Sequence, residues 1–213
     1  MDKSQLEKIT ETYAWNSQDI FVAEILKRKT DGFYVEIGSS EPTLGNNTYL
    51  LEKNYNWKGL SIDNEPDVIE RFNGLRKNKA VLADATTFDY LKYFQENNFP
   101  KQIDYLSVDV DGNFKFDGTR EKNNSLLSLI TLPLTRYRFS VIHYEHDAGY
   151  NYLNIPTRDA QRELLTSLGY SLLISNVEED WWVDPMIIPW PVARLFGNFN
   201  GGREPRYYEV IAE

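Results

Sequence analysis

Apolar residues along the chain fall into two kinds of run that take turns: short blocks, and longer stretches in which they recur every third or fourth position. The blocks at 33–37, 59–63, 80–84, 103–108 and 139–144 read as strands buried on both faces, since such strands carry near-continuous apolar runs. Between them the helical period predicts helices. One starts at Ser17, with Val22, Ile25 and Leu26 on one face and Lys27, Arg28 and Lys29 in its last turn, where cations suit the dipole. Another covers 48–55. A third lies behind Pro66, with Val68, Phe72 and Leu75 inward, and a fourth is capped by Thr87, with Leu91 and Phe94 inward. A helix from Ser125 breaks near Pro133, and one from Thr157 buries Ala160, Leu164, Leu165 and Leu168 before Gly169 stops it. Residues 170–177 and 180–183 form a hairpin about Glu178 and Glu179. At the two ends, Ser4 and Glu7 fit a capping box for a short leading helix, and 207–211 is a last strand-like piece.

Strands alternating with helices predict an α/β fold: a mostly parallel sheet with helices on both faces and a terminal antiparallel hairpin. A chain of 213 residues suits one domain, expected over 17–185. Residues 1–16 read as an N-terminal extension or lid, and 186–213 as a C-terminal tail packed on the domain or at a homodimer contact. The polar loop at 113–124 suits a lid on the substrate side.

Composition narrows the partners. A net charge of -9 repels nucleic acid and anionic membranes, so neither is expected as a partner. The absence of cysteine excludes disulfides, thiolate nucleophiles and thiolate metal sites. The charged start of the chain is unlike a signal peptide, which predicts a soluble, cytoplasmic protein.

Glu36, Asp63, Asp84, Asp109 and Glu145 lie at or near the carboxyl ends of successive strands. In a parallel sheet these ends share one edge, so the acids are expected to converge on one crevice. The loop opening that edge, GSSEP from Gly38 through Ser39 to Pro42, lacks the glycines of a pyrophosphate cradle and is flanked by acids. Carboxylates there repel pyrophosphate and attract a cation, which points away from NAD and toward an adenosyl sulfonium or amine. Asp63 at the second strand tip suits the two hydroxyls of a ribose.

The segments GFYVEIGSSEP, NNTYLLEKNYNWKGLSID and IDYLSVDVDG resemble the S-adenosylmethionine-dependent methyltransferases of the FkbM family, and VIHYEH with DWWVDP is similar to that family's later strands. The resemblance covers most of the chain, 17–185. It implies a Rossmann-like, seven-stranded methyltransferase sheet and O-methyl transfer, often to a sugar or polyketide hydroxyl. It also implies a cofactor site in which Glu36 and Gly38 form the loop, Asp63 binds the ribose, and Asp84 and Ala85 contact adenine; Ser39 and Asp109 are further expected cofactor-binding residues. Where the family commonly has a second glycine, this chain has Pro42.

Taking the proton of an acceptor hydroxyl needs a base near the strand tips, and His146, Asp109 and Glu145 are the candidates. His143 is either a second candidate base or a core residue of its strand. Alternatively Asp109, Asp111 and Glu145 hold Mg²⁺ or Ca²⁺, which would acidify the hydroxyl. Arg120 and Lys122 meet an anionic substrate or are simply solvated, and Trp181 and Trp182 are hairpin packing or a sugar platform. The reading that follows is an S-adenosylmethionine-dependent O-methyltransferase acting on a small molecule or glycan. Its alternatives are a non-catalytic relative that binds a nucleoside or serves in an assembly, and a metal-dependent hydrolase.

Overall fold

The computed structural model describes residues 11–110 and 123–197. The leading helix about Ser4 and Glu7, nearly all of the 113–124 loop, Asp111, and the strand at 207–211 lie outside the described residues. Strands β1 (Phe33–Ile37), β2 (Lys58–Asp63), β3 (Ala80–Leu82), β4 (Gln102–Val108), β5 (Arg138–Glu145), β6 (Ser171–Ser175) and β7 (Glu179–Val183) form one sheet in the order β3-β2-β1-β4-β5-β7-β6. The first five pair in parallel, and β7 runs antiparallel to both β5 and β6.

Helices α1 (Gln18–Ile25), α2 (Tyr49–Tyr55), α3 (Pro66–Leu75), α4 (Tyr90–Glu96), α5 (Ser125–Thr131), α6 (Ile155–Ser167) and α7 (Trp190–Ala193) cover its faces. The period of two sorts the strand residues. Val35, Ile37, Leu106, Val108, Ile142, Tyr144 and Trp182 share one core with Tyr90 and Phe94 of α4, Leu129 of α5 and Leu165 of α6. Tyr34, Tyr105, Val141, Trp181 and Val183 share the other with Phe21 and Val22 of α1, Leu51 of α2 and Ala193 of α7. The two tryptophans thus point to opposite faces, both buried, so they pack the hairpin and offer no sugar platform. Among the described residues no helix is long and apolar enough to cross a membrane.

Several boundaries differ from those predicted. Helix α1 stops at Ile25 because Lys27 and Arg28 take positive φ. The cations that follow it instead form ion pairs, Arg28 with Glu24 and Lys29 with Asp104. Strand β3 ends at Leu82, leaving Asp84 in a turn that Thr86 closes by donating to it. Helix α4 is capped by Asp89, which accepts from Lys92 N, rather than by Thr87.

The second core face is interrupted by a row of polar residues in register across the sheet: Ser61, Glu36, Ser107 and His143. All are buried. Ser61 donates to Glu36 at 2.7 Å, Asn47 to Ser107 at 3.0 Å, and Tyr105 Oη lies 2.9 Å from His143 Nδ1. His143 is therefore a core residue, packed against Phe21 and Trp181, and burial drives its pKa well down, keeping it neutral.

Just above this row β1 ends at Gly38, whose φ of 82° is left-handed. A Cβ at Gly38 would overlap the carbonyl oxygen of Asp109, and Asp109 N donates to Ile37 O at 2.9 Å. The glycine is thus required by the closeness of two chain segments rather than by the approach of a ligand. Gly38→Ala is expected to cost about 2–5 kcal/mol from combined backbone strain and overpacking, read as a lower urea midpoint with an unchanged slope.

Candidate functional site

The strand order reverses between β1 and β4, and in open α/β sheets the crevice beyond the carboxyl ends at such a point is where ligands bind. A cleft of about 220 Å³ lies there. Asp109 and Glu145 line it from the tips of β4 and β5, Gly45 and Asn47 from the loop after β1, and Asp147 and Glu178 from the turns beyond. Register sets Val108, the last residue of β4, opposite Tyr144, so Asp109 just past β4 is level with Glu145, the last residue of β5.

A further wall comes from the start of α1 and the residues before it, where Trp15, Asn16 and Gln18 line the cleft. Two buried carboxylates hold it. Asp19 accepts from Thr12 Oγ1 at 2.7 Å and from Tyr13 N at 2.7 Å. Glu179 accepts from Asn16 Nδ2 at 2.9 Å and from Gln18 Nε2 at 3.1 Å. Tyr13 O in turn accepts from Gly45 N, joining this wall to the loop after β1.

On the other side of that loop, Asp63 Oδ2 accepts from Ser40 N at 2.9 Å and its Oδ1 from Glu65 N at 3.0 Å. These bonds fix the carboxylate at the β2 tip, and each oxygen retains a lone pair for a further donor. Asp84 is exposed at the neighbouring β3 edge, and the Thr86 hydroxyl and amide that donate to it hold its pKa below the usual carboxylate range. Ala85 is buried, its carbonyl accepting from Tyr90 Oη. Ser39 is also buried, and its Oγ has no hydrogen-bond partner.

Of the expected site residues among those described, only Asp109 and Glu145 line the cleft; Gly38, Ser39, Asp63, Asp84 and Ala85 do not, and Glu36 and His146 are turned into the interior. Glu36 does not face the cleft: it alternates with Val35 and Ile37, so its carboxylate points under the sheet face covered by α2, where Ser61 and Thr48 donate to it. Burial pushes its pKa up, against the nearby charge of Arg76. Glu41, the other acid flanking the loop, pairs with Arg71 at 3.0 Å. Both flanking acids therefore have arginine counter-charges, and the electrostatic case against a pyrophosphate rests on the cleft acids and Asp63 instead. His146 is buried and is not among the residues lining the cleft, because the hairpin turn covers it: His146 N and Asp147 N both donate to Glu178 O. Its Nδ1 accepts from Ala148 N at 3.0 Å, and its Nε2 lies 3.5 Å from Asp180 Oδ1. Burial would raise the pKa of Asp180, but the Arg162 hydrogen bonds, with the nearby His146 ring, outweigh it and hold the carboxyl below its ordinary value.

The metal expectation finds no support. Among the described residues no three histidines or carboxylates are grouped closely enough to hold an ion, and Asp111, one of the three expected ligands, lies outside them. Asp109 and Glu145 both line the cleft. Sequence reasoning missed Asn16, Gln18 and Glu179, which meet only through tertiary folding, and Arg76, whose place at the end of α3 carries no periodic signal.

Glu179 gives the wall a pH dependence. Burial raises its pKa from 4.5 to about 7 despite the Gln18 and Asn16 hydrogen bonds. Between those two values the folded state holds the proton more tightly than the unfolded chain, so stability falls as pH rises from 4.5 to about 7. The full loss, on the order of 3 kcal/mol, is reached above that window. Glu179→Gln is expected to flatten this fall, so that its melting temperature exceeds that of the wild type at pH values above the window but not below it.

No protein-family model matches the sequence, and no curated protein matches it. Solved structures do match the fold. An O-methyltransferase from Bacillus cereus in complex with S-adenosylhomocysteine (SAH) is similar at a TM-score of 0.53 and 13% identity, covering 78% of each chain. An SAH-bound methyltransferase from Podospora anserina is similar at a TM-score of 0.53 and 12% identity, covering 79% of this chain and 76% of its own. A Clostridium thermocellum protein provisionally named an rRNA-methylase is similar at a TM-score of 0.53 and 9% identity, covering 82% of this chain and 97% of its own. These structural neighbours are methyltransferases, and at such identities the likeness establishes the fold: a Rossmann-like methyltransferase sheet.

Proposed function

We propose that the protein is an S-adenosylmethionine-dependent O-methyltransferase acting on a hydroxyl of a small molecule or glycan. The observation that carries this reading is the set of acids at one sheet edge, with Asp63 on the β2 side and Asp109 and Glu145 bordering the cleft on the β4 and β5 side. SAH in the Bacillus cereus and Podospora anserina neighbours supports the cofactor, and the resemblance to the FkbM family supports the acceptor class.

The residues present fit such a cofactor. Asp63 is oriented by two backbone amides and accepts from ribose hydroxyls with its remaining lone pairs. Ser39 Oγ is a buried hydroxyl still lacking a partner beside it in the loop. Carboxylates around the cleft suit a cationic ligand. When bound, the cofactor supplies an electrophilic methyl group.

The rest is placement. Asp109 and Glu145 stand level with each other at the ends of adjacent strands and so hold an acceptor hydroxyl between them. Glu145, on the acceptor side, takes the hydroxyl proton, while Asp109 orients the hydroxyl from the side of the β1 loop. Trp15 and Tyr150, both largely exposed at the cleft, shield the reacting atoms from water once a substrate covers them.

Calorimetric titration with SAH tests the cofactor reading, and no binding at millimolar ligand would sink it. Asp63→Ala is expected to weaken that binding about tenfold to a hundredfold, the loss of a charged hydrogen-bond acceptor. With an acceptor identified from a panel of hydroxyl compounds, Glu145→Gln is expected to lower kcat by about 10²–10⁴ while SAH affinity stays within a few-fold.

A further inference from the structure

The loop from Gly38 to Thr48 is irregular, holds Pro42 where a glycine is expected, and has Ser40 in a left-handed conformation at φ 45°. Something outside it must set its shape. Beneath it lies Arg76, which leaves the end of α3 in an extended conformation and whose side chain is wholly buried.

Its fork meets the loop at several points. Nη1 donates to Pro42 O at 2.9 Å and to Asn46 Oδ1 at 2.9 Å. Nη2 donates to Thr48 Oγ1 at 3.1 Å and reaches Tyr34 Oη at 3.4 Å. Nε lies 3.2 Å from Glu52 Oε2, an ion pair whose angle falls outside hydrogen-bond geometry. The guanidinium is also sandwiched, 4.6 Å from the Phe72 ring and 5.2 Å from that of Tyr49. Asn46 passes the order on: its Oδ1 accepts from Thr48 N and Tyr49 N at the start of α2, and its Nδ2 donates to Ser39 O at 3.2 Å.

A buried ion pair is a poor source of stability, because desolvation consumes most of its Coulomb gain, and its best-attested use is to select one conformation. We infer that Arg76 is a positioning residue for cofactor binding: its guanidinium pins Pro42, Asn46 and Thr48, and so presents Ser39, Ser40 and Asp63 in the arrangement the ligand needs. Pro42 is suited to this role. Its carbonyl is an acceptor like any other, while its ring limits the backbone freedom that a glycine would bring. The inference rests on the cofactor reading above.

The test is Arg76→Lys, which keeps the charge and loses the fork. In the unliganded protein, amide exchange at Ser40, Gly45, Thr48 and Tyr49 is expected to quicken about tenfold or more while that of β4 and β5 is unchanged. At a temperature where the variant is fully folded, its SAH affinity is expected to drop about tenfold or more. A purely structural role would lower the melting temperature and leave the folded protein's affinity as it was, and that result would overturn the inference. Thr48→Val, which removes one of the acceptors at nearly constant volume, should move both readouts in the same direction by a smaller factor. Should Arg76→Lys fail to fold, this variant decides, and unchanged exchange at those four amides overturns the inference. Wild-type protein that fails to bind SAH counts against the cofactor reading. Unaltered loop exchange in a folded variant counts against Arg76, whatever the wild type binds.

Discussion

A guanidinium does not give up its proton in a protein, so wherever one is buried, anions and acceptors have to be gathered around it. Arg76 imposes that condition on the middle of this molecule. Glu52 and Glu36 bring carboxylates from α2 and β1, Thr48 and Tyr34 bring hydroxyls, and Pro42 and Asn46 bring oxygens from the loop between. The groups that satisfy one charge are thus the ends and middle of the segment that opens the carboxyl edge of the sheet. Glu36 stays in place for the complementary reason: burial disfavours its ionised form, and the arginine and two hydroxyl donors favour it.

The same economy appears where β1 meets β4. The space a side chain would take at Gly38 is filled by the backbone of Asp109, so the loop after β1 and the acid at the β4 tip are in direct contact. Below them the row Ser61, Glu36, Ser107 and His143 spans four strands: Ser61 bonds Glu36 within it, Thr48, Asn47 and Tyr105 bond the other members from outside, and His143 Nε2 is buried without a partner. An open cleft therefore rests on a floor that is polar yet closed.

Much of this was legible in the sequence. Parallel strands buried on both faces leave unbroken apolar blocks, which is why β1, β4 and β5 could be placed nearly to the residue, and why acids at their ends could be assigned to one edge. The reasoning weakened where alternation and tertiary cover decide the outcome. Glu36 sits one position from the strand end, and that single step turns it from the cleft to the interior. His146 follows the β5 tip and read as accessible, but the turn at Glu178 folds over it. Lys27 and Arg28 looked like the last turn of α1, yet their left-handed backbone ends the helix first and their charges serve ion pairs or solvent instead. Arg76 had no local signature at all: its partners at Pro42 and Asn46 are 34 and 30 positions away, and nothing in a short window links them.

The cleft wall has a bearing on how the chain folds. Asn16 and Gln18 are bonded to Glu179 across 163 and 161 positions, nearly the whole described length. Closing a loop of that size costs more chain entropy than any helix or adjacent-strand contact here, and those few hydrogen bonds repay it only once β7 is already docked beside β5. The wall that encloses the cleft therefore depends on β7 standing in place beside β5, so a change that loosens the hairpin also opens the cleft.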